Sequence, residues 1–318
     1  MGVCLVVTTP LIEVVMPTYN GIEFLEEQVQ SIYYQTLRPK RLIVRDDGST
    51  DGTVDLLYEL KTLYGEWLCV HIGESNLGHT ACINQLLYLT RESYVSLADQ
   101  DDVWLPQKLE HSYRLIRKAE IVKGFDYPIL IHTNLSIVDA SLTDLGMTYT
   151  QRQLINPHAD SPSMISLTNV VTGCTILCNR ALLKLTLPIP KDALVHDWWI
   201  ALVASVYGHI GYLSWPSVLY RQHPRNVIGA KGFALSYWIE RIQNWFMCPS
   251  KGGHTLQAIR QIEAFESRFS VKISILPTLI RKPKLQRIFY LFFVYFRRMP
   301  HKHGFLRTLA FYFWLFSY

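Results

Sequence analysis

The chain has 318 residues, 49% of them hydrophobic and 18% charged, which fits one large domain with a sizeable core, or one domain with appendages. No stretch reaches the roughly 20 uninterrupted apolar residues of a spanning helix, which excludes a polytopic membrane protein. Residues 1–11 lack the basic start of a signal peptide. The six cysteines are scattered along the chain, which indicates free thiols in a reducing compartment. The net charge of +5 hides an asymmetry, because residues 267–318 contain ten Lys and Arg and no acidic residue.

The first hundred residues alternate short apolar segments with segments of helical spacing. Strands are predicted at Ile12–Met16, Arg41–Val44, Val70–Ile72 and Tyr94–Ala98. Helices are predicted at Glu23–Gln35, Thr53–Tyr64 and Thr80–Thr90. This alternation indicates parallel βαβ units, in which the loops at the carboxyl ends of the strands form the ligand crevice.

The pattern changes from about Ile129. Further strands are predicted at Ile129–Thr133, Val170–Leu177 and Gly211–Tyr220, with a polar insertion at Asp139–Pro162 and a helix at Trp198–Gly208. The globular body is expected to end near Gly232, before a helical C-terminal region. Cys174 and Cys178 lie close together in an apolar run, which favours core packing over a zinc site.

Three aspartates, Asp99, Asp101 and Asp102, follow the apolar strand that ends at Ala98. Carboxylates this close repel one another, so a fold keeps them together mainly when a cation neutralises them. Oxygen ligands select hard ions such as Mg²⁺ or Mn²⁺. The alternative is a solvated acidic turn, but the apolar strand before the cluster and the Trp-Leu-Pro run at 104–106 favour the metal site.

A second polar cluster, Asp46-Asp47-Gly48-Ser49-Thr50-Asp51-Gly52, also follows a strand. Part of it can be explained as a turn with a helix cap, because Ser49 or Asp51 can cap the helix that comes next. Asp47 is better explained as a hydrogen-bond acceptor for a nucleotide base, because it lies at the end of a strand that faces the crevice.

Taken together, these motifs resemble family 2 glycosyltransferases of the GT-A fold. The resemblance rests on Met-Pro-Thr-Tyr-Asn at 16–20, Asp-Asp-Gly-Ser-Thr-Asp at 46–51, Asn-Leu-Gly at 76–78 and Asp-Gln-Asp-Asp-Val-Trp at 99–104. The last of these is similar to the rhamnosyltransferase-like branch. The resemblance extends to His-Asp-Trp-Trp at 196–199 and to Tyr-Arg-Gln-His at 220–223 with Asn226 and Gly229, and it covers roughly residues 10–232.

The resemblance implies an α/β protein, with a GT-A (Rossmann-like) mixed sheet flanked by helices and an aromatic-rich helical extension. The expected domains are 1–232, with a nucleotide-sugar half at about 10–110 and an acceptor half at about 111–232, and a C-terminal helical region at 233–318 that contacts a membrane.

The resemblance also implies roles for individual residues. The residues expected to border the nucleoside and line the donor site are Pro17, Thr18, Tyr19, Asn76 and Gly78. Asp47 would bind the pyrimidine.

At the acidic strand end, the resemblance implies that Asp101 and Asp102 hold Mn²⁺ or Mg²⁺ on the diphosphate, with Asp99 at the sugar. His223 would lie near the metal or diphosphate as a further candidate ligand. Asp197 corresponds to the family's catalytic base.

The chemistry of glycosyl transfer agrees with these roles, because cleavage of a nucleotide sugar builds negative charge that a divalent ion stabilises. An attacking hydroxyl needs a carboxylate to take its proton, and apolar neighbours would raise the pKa of Asp197 and strengthen it as a base. Trp198 and Trp199 either stack on sugars or pack in the core. His196 either bonds the acceptor or is a satisfied histidine near the surface, and the second interpretation is favoured slightly.

The expected activity is that of an inverting, metal-dependent hexosyltransferase. Its donor would be dTDP-L-rhamnose, or alternatively a UDP-sugar. The acceptor would be a saccharide or a lipid-linked saccharide in bacterial surface polysaccharide synthesis, such as O-antigen assembly. The oligomeric state is left open.

Two other classes of protein compete with this interpretation. A nucleotidyltransferase would begin with a glycine-rich basic phosphate loop, and residues 17–21 are neither glycine-rich nor basic. A non-catalytic nucleotide- or sugar-binding protein would not need the carboxylate at Asp197, nor the pair at Asp101 and Asp102.

The C-terminal segment is basic and aromatic, with thirteen Phe, Tyr and Trp among residues 289–318. Such segments are typical of interfacial helices on an anionic bilayer, so the sequence predicts a cytoplasmic protein held peripherally at the inner face of the cell membrane. The alternative is a cap packed on the enzyme or in a dimer interface. Nucleic-acid binding is not expected, because near-continuous apolar runs suit lipid better than a phosphate backbone.

Overall fold

A computed structural model describes residues 11–224, 253–274, 276–283 and 286. Asn226, Gly229, the aromatic-rich segment at 289–318 and most of the predicted C-terminal region lie outside the described residues. The predicted domain boundary at 232 therefore stays a prediction. Within the described part, no helix combines the length and apolar character that would let it cross a bilayer.

The described strands form one mixed sheet in the order β3-β2-β1-β4-β8-β6-β9-β5, with β7 beside β6. Their bounds are β1 Ile12–Thr18, β2 Arg41–Asp46, β3 Leu68–Ile72, β4 Tyr94–Leu97, β5 Val103–Trp104, β6 Ile129–Val138, β7 Asp144–Thr148, β8 Leu177–Asn179 and β9 His209–Arg221. Within the group β1 to β4, every pair of neighbouring strands is parallel, which confirms the predicted βαβ units. Strand β8 is antiparallel to β4 and β6, whereas β9 is parallel to β6.

Helices cover both faces of this sheet. Their bounds are α1 Leu25–Tyr33, α2 Thr53–Tyr64, α3 His79–Leu89, α4 Lys108–Lys123, α5 Tyr149–Arg152, α6 Pro162–Ile165, α7 Arg180–Thr186, α8 His196–Tyr207, α9 Gly253–Phe269 and α10 Leu276–Ile280. Helix α2 has the predicted bounds, and α1 is shorter at both ends. The sequence interpretation did not include α4.

The core lies in two layers, one on each side of the sheet. Along β1, Val14 and Met16 belong to the layer under α1, α2 and α4, while Val15 belongs to the layer under α3, α7 and α8. Every residue of β1 is buried, as expected for a parallel strand covered on both faces. The strand can therefore be a continuous apolar run that still ends in polar loops.

The prediction of one strand at Val170–Leu177 is wrong. The chain there is irregular and makes a short 3₁₀ turn at Gly173–Thr175, and β8 begins only at Leu177. The Gly173 N–H is donated to a side chain, Asp197 Oδ2, at 2.9 Å and not to a neighbouring strand. The segment is apolar because it is buried, since Val170 and Val171 are 5% and 3% exposed, and burial does not require an extended backbone.

The predicted polar insertion at Asp139–Pro162 contains regular structure. Strand β7 pairs antiparallel with β6, and α5 follows it directly with a capping box at Thr148 and Gln151. Most residues of β7 are exposed, so its sequence lacks the apolar alternation by which strands are recognised.

Helix α9 packs against α8 and shares its core. Phe265 is fully buried, and its ring lies 5.6 Å from that of Trp199. Arg268 donates hydrogen bonds to the carbonyls of Leu185 and Pro188, at the end of α7, at 2.8 and 2.5 Å. The part of the predicted C-terminal region that forms α9 is thus packed on the globular body.

Candidate active site

The polar loops that follow β1, β2 and β4 lie at one edge of the sheet, because these strands are parallel and end together. The second part of the sheet, predicted as the acceptor half, brings the start of α8 and the end of β9 to the same place.

Asp46 organises the loop that follows β2. Its buried carboxylate accepts hydrogen bonds from the backbone N–H groups of Gly48 and Ser49 at 3.0 and 2.8 Å. It also accepts one from the Thr18 hydroxyl at 3.1 Å, so the ends of β1 and β2 are joined. Thr18 and Pro17, predicted to border the nucleoside, are buried at the end of β1.

Asp47, predicted to bind the base, ties two loops together. Its carboxylate accepts the N–H groups of Leu77 at 3.0 Å and Gly78 at 2.9 Å, and it pairs with the Arg45 guanidinium. The residue is only 3% exposed. Its role towards a base stays a prediction, and a base would have to share an oxygen that already accepts hydrogen bonds.

Tyr19 and Gln100 join the loops after β1 and β4. The Tyr19 N–H donates to Gln100 Oε1 at 2.9 Å, and Gln100 Nε2 donates to the Tyr19 carbonyl at 3.0 Å. A Cβ on Gly21 would come within 2.2 Å of Gln100 Oε1, so a larger residue there would displace the Gln100 side chain from this contact. The Tyr19 side chain is 47% exposed, and Asn76 is also exposed, so both can reach a donor.

The acidic loop directs its three carboxylates to different partners. Asp99 Oδ1 lies 3.4 Å from His79 Nε2, and Asp101 Oδ2 lies 2.9 Å from His223 Nε2. Asp102 is fully buried, and its Oδ1 accepts the Arg221 N–H at 3.3 Å. Asp102 Oδ2 has no hydrogen-bond partner among the described residues.

This loop fits a divalent cation. Burial and the neighbouring carboxylates raise the pKa of Asp101, and they raise that of Asp102 well above its usual value. A cation would relieve this repulsion and give the orphaned oxygen of Asp102 a partner. Two predicted ligands, Asp101 and His223, already face each other and are partly exposed.

Cys174 lies near this group, since donor atoms of Asp99, Asp102 and Cys174 are within 4.8 Å of one another. Burial and the neighbouring carboxylates raise the pKa of the Cys174 thiol well above its usual value. A protonated thiol is a poor ligand, and the residue belongs to the core layer under α1, α2 and α4. The geometry therefore supports the core-packing interpretation of Cys174.

Arg221 holds the acidic loop from behind and was not assigned a role from the sequence. Its buried guanidinium pairs with Glu27 of α1 and donates to the Asp101 carbonyl at 2.9 Å and to the Ala140 carbonyl. It also lies 4.4 Å from the centre of the Phe24 ring. One side chain thus connects α1, the acidic loop and the turn after β6.

Asp197 lies in the first turn of α8 and is held on both oxygens. Asn169 Nδ2 donates to Oδ1 and the Gly173 N–H donates to Oδ2, each at 2.9 Å. Burial raises the pKa of Asp197 to about 6, which is close to the value that suits a general base near neutral pH.

The two tryptophans after Asp197 are held by the protein itself. Trp199 is fully buried and donates its indole N–H to the Thr186 carbonyl at 3.0 Å, which supports core packing. Trp198 is half-buried and donates to the Ile165 carbonyl at 2.5 Å.

His196 is buried, so the interpretation as a satisfied histidine near the surface is wrong. It is 5% exposed, and its Nδ1 has no partner among the described residues. A Cβ on Gly173 would come within 2.6 Å of its Nε2, which shows how closely the chain packs there. The His79 ring lies 4.9 Å away. The sequence interpretation missed His79, because a lone histidine after Gly78 carries no signal until the fold brings Asp99 beside it.

Residues 13–141 match the family model for Glycosyl transferase family 2. The likeness to this family is shown for this segment and not for the whole chain. It contains the loops after β1, β2 and β4, and therefore the donor-side residues described above. The family resemblance is confirmed for this part of the chain.

Curated relatives include proteins named as sugar transferases. The chain is 25% identical over 224 residues to dTDP-rhamnosyl transferase RfbG of Shigella flexneri, which covers 68% of this chain and 74% of the relative. It is 35% identical over 116 residues to the putative teichuronic acid biosynthesis glycosyltransferase TuaG of Bacillus subtilis, covering 36% and 46%. It is 24% identical over 176 residues to an uncharacterized glycosyltransferase of Rickettsia typhi, covering 55% and 52%. The chain thus spans about half the length of the last two relatives.

Solved structures share the fold. The TarS fragment 1–349 of S. aureus in complex with UDP has a TM-score of 0.51 at 19% identity, covering 87% of this chain and 77% of that chain. The mannosyltransferase PcManGT of Pyrobaculum calidifontis, in complex with GDP-Man and Mn²⁺, has a TM-score of 0.52 at 19% identity, covering 90% and 71%. The predicted GT-A fold is confirmed.

Proposed function

We propose that the protein is an inverting glycosyltransferase, which moves a sugar from a nucleoside diphosphate to an acceptor hydroxyl. One observation carries the proposal: His79 lies 3.4 Å from Asp99 of the acidic loop, and its ring lies 4.9 Å from that of His196, the residue before Asp197. The family 2 segment at 13–141 supplies the donor-side loops.

Asp197 is suited to act as the general base. Its carboxylate accepts the proton of the acceptor hydroxyl as the acceptor oxygen forms its bond to the anomeric carbon. The bond from that carbon to the diphosphate oxygen breaks on the opposite face, and the electron pair leaves with the nucleoside diphosphate. Attack from the face opposite the leaving group inverts the configuration.

Asp101 and His223 are the best placed residues to hold a divalent cation, with Asp102 as a further candidate. A cation held there would supply Lewis-acid stabilisation of the charge on the departing diphosphate. Mg²⁺ prefers oxygen ligands in near-octahedral geometry, whereas an imidazole nitrogen suits a transition metal better. The pairing of Asp101 with His223 therefore favours Mn²⁺ over Mg²⁺.

The proposed donor is dTDP-L-rhamnose, and the support is the relative RfbG, which is named a dTDP-rhamnosyl transferase. A UDP-sugar is the second candidate, because TarS is solved with UDP-GlcNAc. The test measures release of nucleoside diphosphate from dTDP-L-rhamnose, UDP-GlcNAc and GDP-mannose, each with Mn²⁺, Mg²⁺ or EDTA.

We expect Mn²⁺-dependent release that Asp197→Asn abolishes and Asp192→Asn leaves unchanged, because Asp192 is an exposed residue five positions before the base. The anomeric configuration of the product, read by NMR, tests inversion. Full turnover in EDTA, or no turnover of any sugar nucleotide, would overturn the proposal.

The proposed acceptor is a saccharide or lipid-linked saccharide, with the basic C-terminal segment attaching the enzyme to the inner face of the membrane. Six Lys and Arg and no acidic residue follow position 283, and each contributes about 1 kcal/mol near an anionic leaflet. The test is sedimentation with anionic liposomes at low and high salt. We expect salt-sensitive binding of the full chain and none of a chain ending at 283, and equal binding of the two would refute the attachment.

A further inference from the structure

His79 occupies a central position at the crevice. It is the first residue of α3 and directly follows Leu77 and Gly78, whose N–H groups are bonded to Asp47. Its Nε2 lies 3.4 Å from Asp99 Oδ1. His79 therefore stands between the loop predicted for the nucleoside and the carboxylates predicted for the metal and sugar.

Three carboxylates lie around His79: Asp99 contacts it, Asp101 follows Asp99 by two residues, and Asp197 follows His196, whose ring lies 4.9 Å from that of His79. This concentration of negative charge repels a diphosphate unless cationic donors offset it. A divalent cation at Asp101 and His223 would neutralise part of the charge. A hydrogen-bond donor beside Asp99 would offset more of this charge.

The other cationic side chains described at this crevice are already engaged. Arg45 is buried against Asp47, with 8% of its side chain exposed. Arg221 bonds Glu27 and two carbonyls and is 3% exposed, and His223 bonds Asp101 and is 11% exposed. The His79 side chain is 43% exposed, and its 3.4 Å separation from Asp99 leaves its N–H able to turn to a ligand.

We propose that His79 binds the diphosphate of the donor, donating its Nε2–H to an oxygen of the phosphate next to the sugar; the inference rests on the function proposed above. Its contact with Asp99 orients the imidazole before the donor arrives. His79 therefore binds the phosphate part of the nucleotide sugar, and binding of the nucleoside part does not depend on it.

The test compares nucleotides that differ by one phosphate. Calorimetry with Mn²⁺ would give the affinities of dTDP, dTMP, UDP and UMP for the wild-type protein and for His79→Ala and His79→Gln. His209→Ala is the matched control, because His209 begins β9 and lies at the opposite end of that strand from His223.

We expect His79→Ala to weaken diphosphate binding about 10- to 100-fold, the usual loss for a hydrogen bond to a charged group, with monophosphate affinity unchanged. His79→Gln keeps an N–H donor and should recover part of the loss. His209→Ala should bind like the wild type.

Equal losses for the mono- and diphosphates would show that His79 only shapes the nucleoside loop, and unchanged diphosphate affinity would show no contact; either result overturns the inference. Failure of the wild-type protein to bind any of the four nucleotides would overturn the proposed function as well. The two failures are therefore distinguishable.

Discussion

The donor half and the acceptor half of the sheet hold their polar groups in different ways. In the donor half, loops bond directly to other loops, as Asp47 does to Leu77 and Gly78, and Gln100 to Tyr19. In the acceptor half, Asp197 depends on a single irregular segment, which supplies Asn169 and Gly173. The donor-side loops are joined mostly to one another, although Arg221 and His223 at the end of β9 also bond the acidic loop. The Asp197 carboxylate is instead bonded by one segment of the chain.

The difference indicates how the two halves should respond to change. The effect of a substitution in the donor half should extend to several loops and weaken nucleotide binding. Substitutions around Asp197 should change turnover and leave nucleotide binding intact.

Asp197→Asn should lower turnover by about 100-fold or more, because the amide cannot accept the proton that a positioned base takes. Binding of nucleoside diphosphate should stay within twofold, since Asp197 is held by Asn169 and Gly173, which lie outside the donor-side loops. Steady-state kinetics and calorimetry on the same preparation measure both quantities. Loss of nucleotide affinity in this variant would show that the halves are coupled.

Asp101→Asn and Asp102→Asn separate the two predicted metal ligands. Asp101 is partly exposed beside His223, while Asp102 is fully buried beside Arg221. We expect Asp101→Asn to raise the Mn²⁺ concentration for half activation by about tenfold or more, as loss of a charged ligand would. Asp102→Asn should raise it less. If the two variants raised the half-activating Mn²⁺ concentration equally, Asp102 would contribute to metal binding as much as Asp101.

Arg221→Lys should lower turnover by about tenfold, because an ammonium cannot reproduce the bonds of the planar guanidinium. It should also lower the melting temperature, since partners of a buried charge lose their bonds. Glu27→Gln is the control: its side chain is 49% exposed, so its loss should cost little. If the lysine variant kept full activity at an unchanged melting temperature, Arg221 would not position the acidic loop.

The pH profile of turnover should report Asp197. Its carboxylate must be ionised to accept a proton, and burial raises its pKa to about 6. Turnover should therefore be half of its maximum near that pH and should level off above neutrality. One pH unit below the pKa, it should be about a tenth of that maximum. His79 and Asp99 are charged groups that also act on Asp197, so the profile should be repeated with His79→Gln. A flat profile from pH 5 to 8 would contradict the assignment.

Much of the donor half could be predicted from sequence because its elements are short, apolar and local. Strands β1 to β4 and helix α2 were found near their true bounds, since each apolar run is interrupted by a polar loop. Helix α4 was missed because polar residues occupy its buried face: Lys108, Ser112 and Glu120 are all at most 3% exposed. A pattern based on apolar spacing cannot recognise such a face.

The acidic loop and the residues that contact it show the same limit of sequence-based prediction at the site. Asp99 and Asp101 could be predicted because they cluster in sequence and resemble a known family. His79 and Arg221 could not, because the residues they contact lie far away along the chain. The buried state of Asp102 likewise depends on packing of β9 behind the loop, which no local pattern reports.

The packing of α9 against α8 decides where the chain can be shortened. Phe265 and Phe269 lie against Trp199, and the helix that carries Trp199 begins at His196. A chain cut before Gly253 would expose a face of the helix that carries Asp197, and one cut at Glu266 would lose Arg268 and Phe269. If such a shortened chain were inactive, the cause would be the disturbed helix and not the loss of membrane attachment. A truncated variant that is meant to separate catalysis from membrane attachment therefore has to retain residues 253–283.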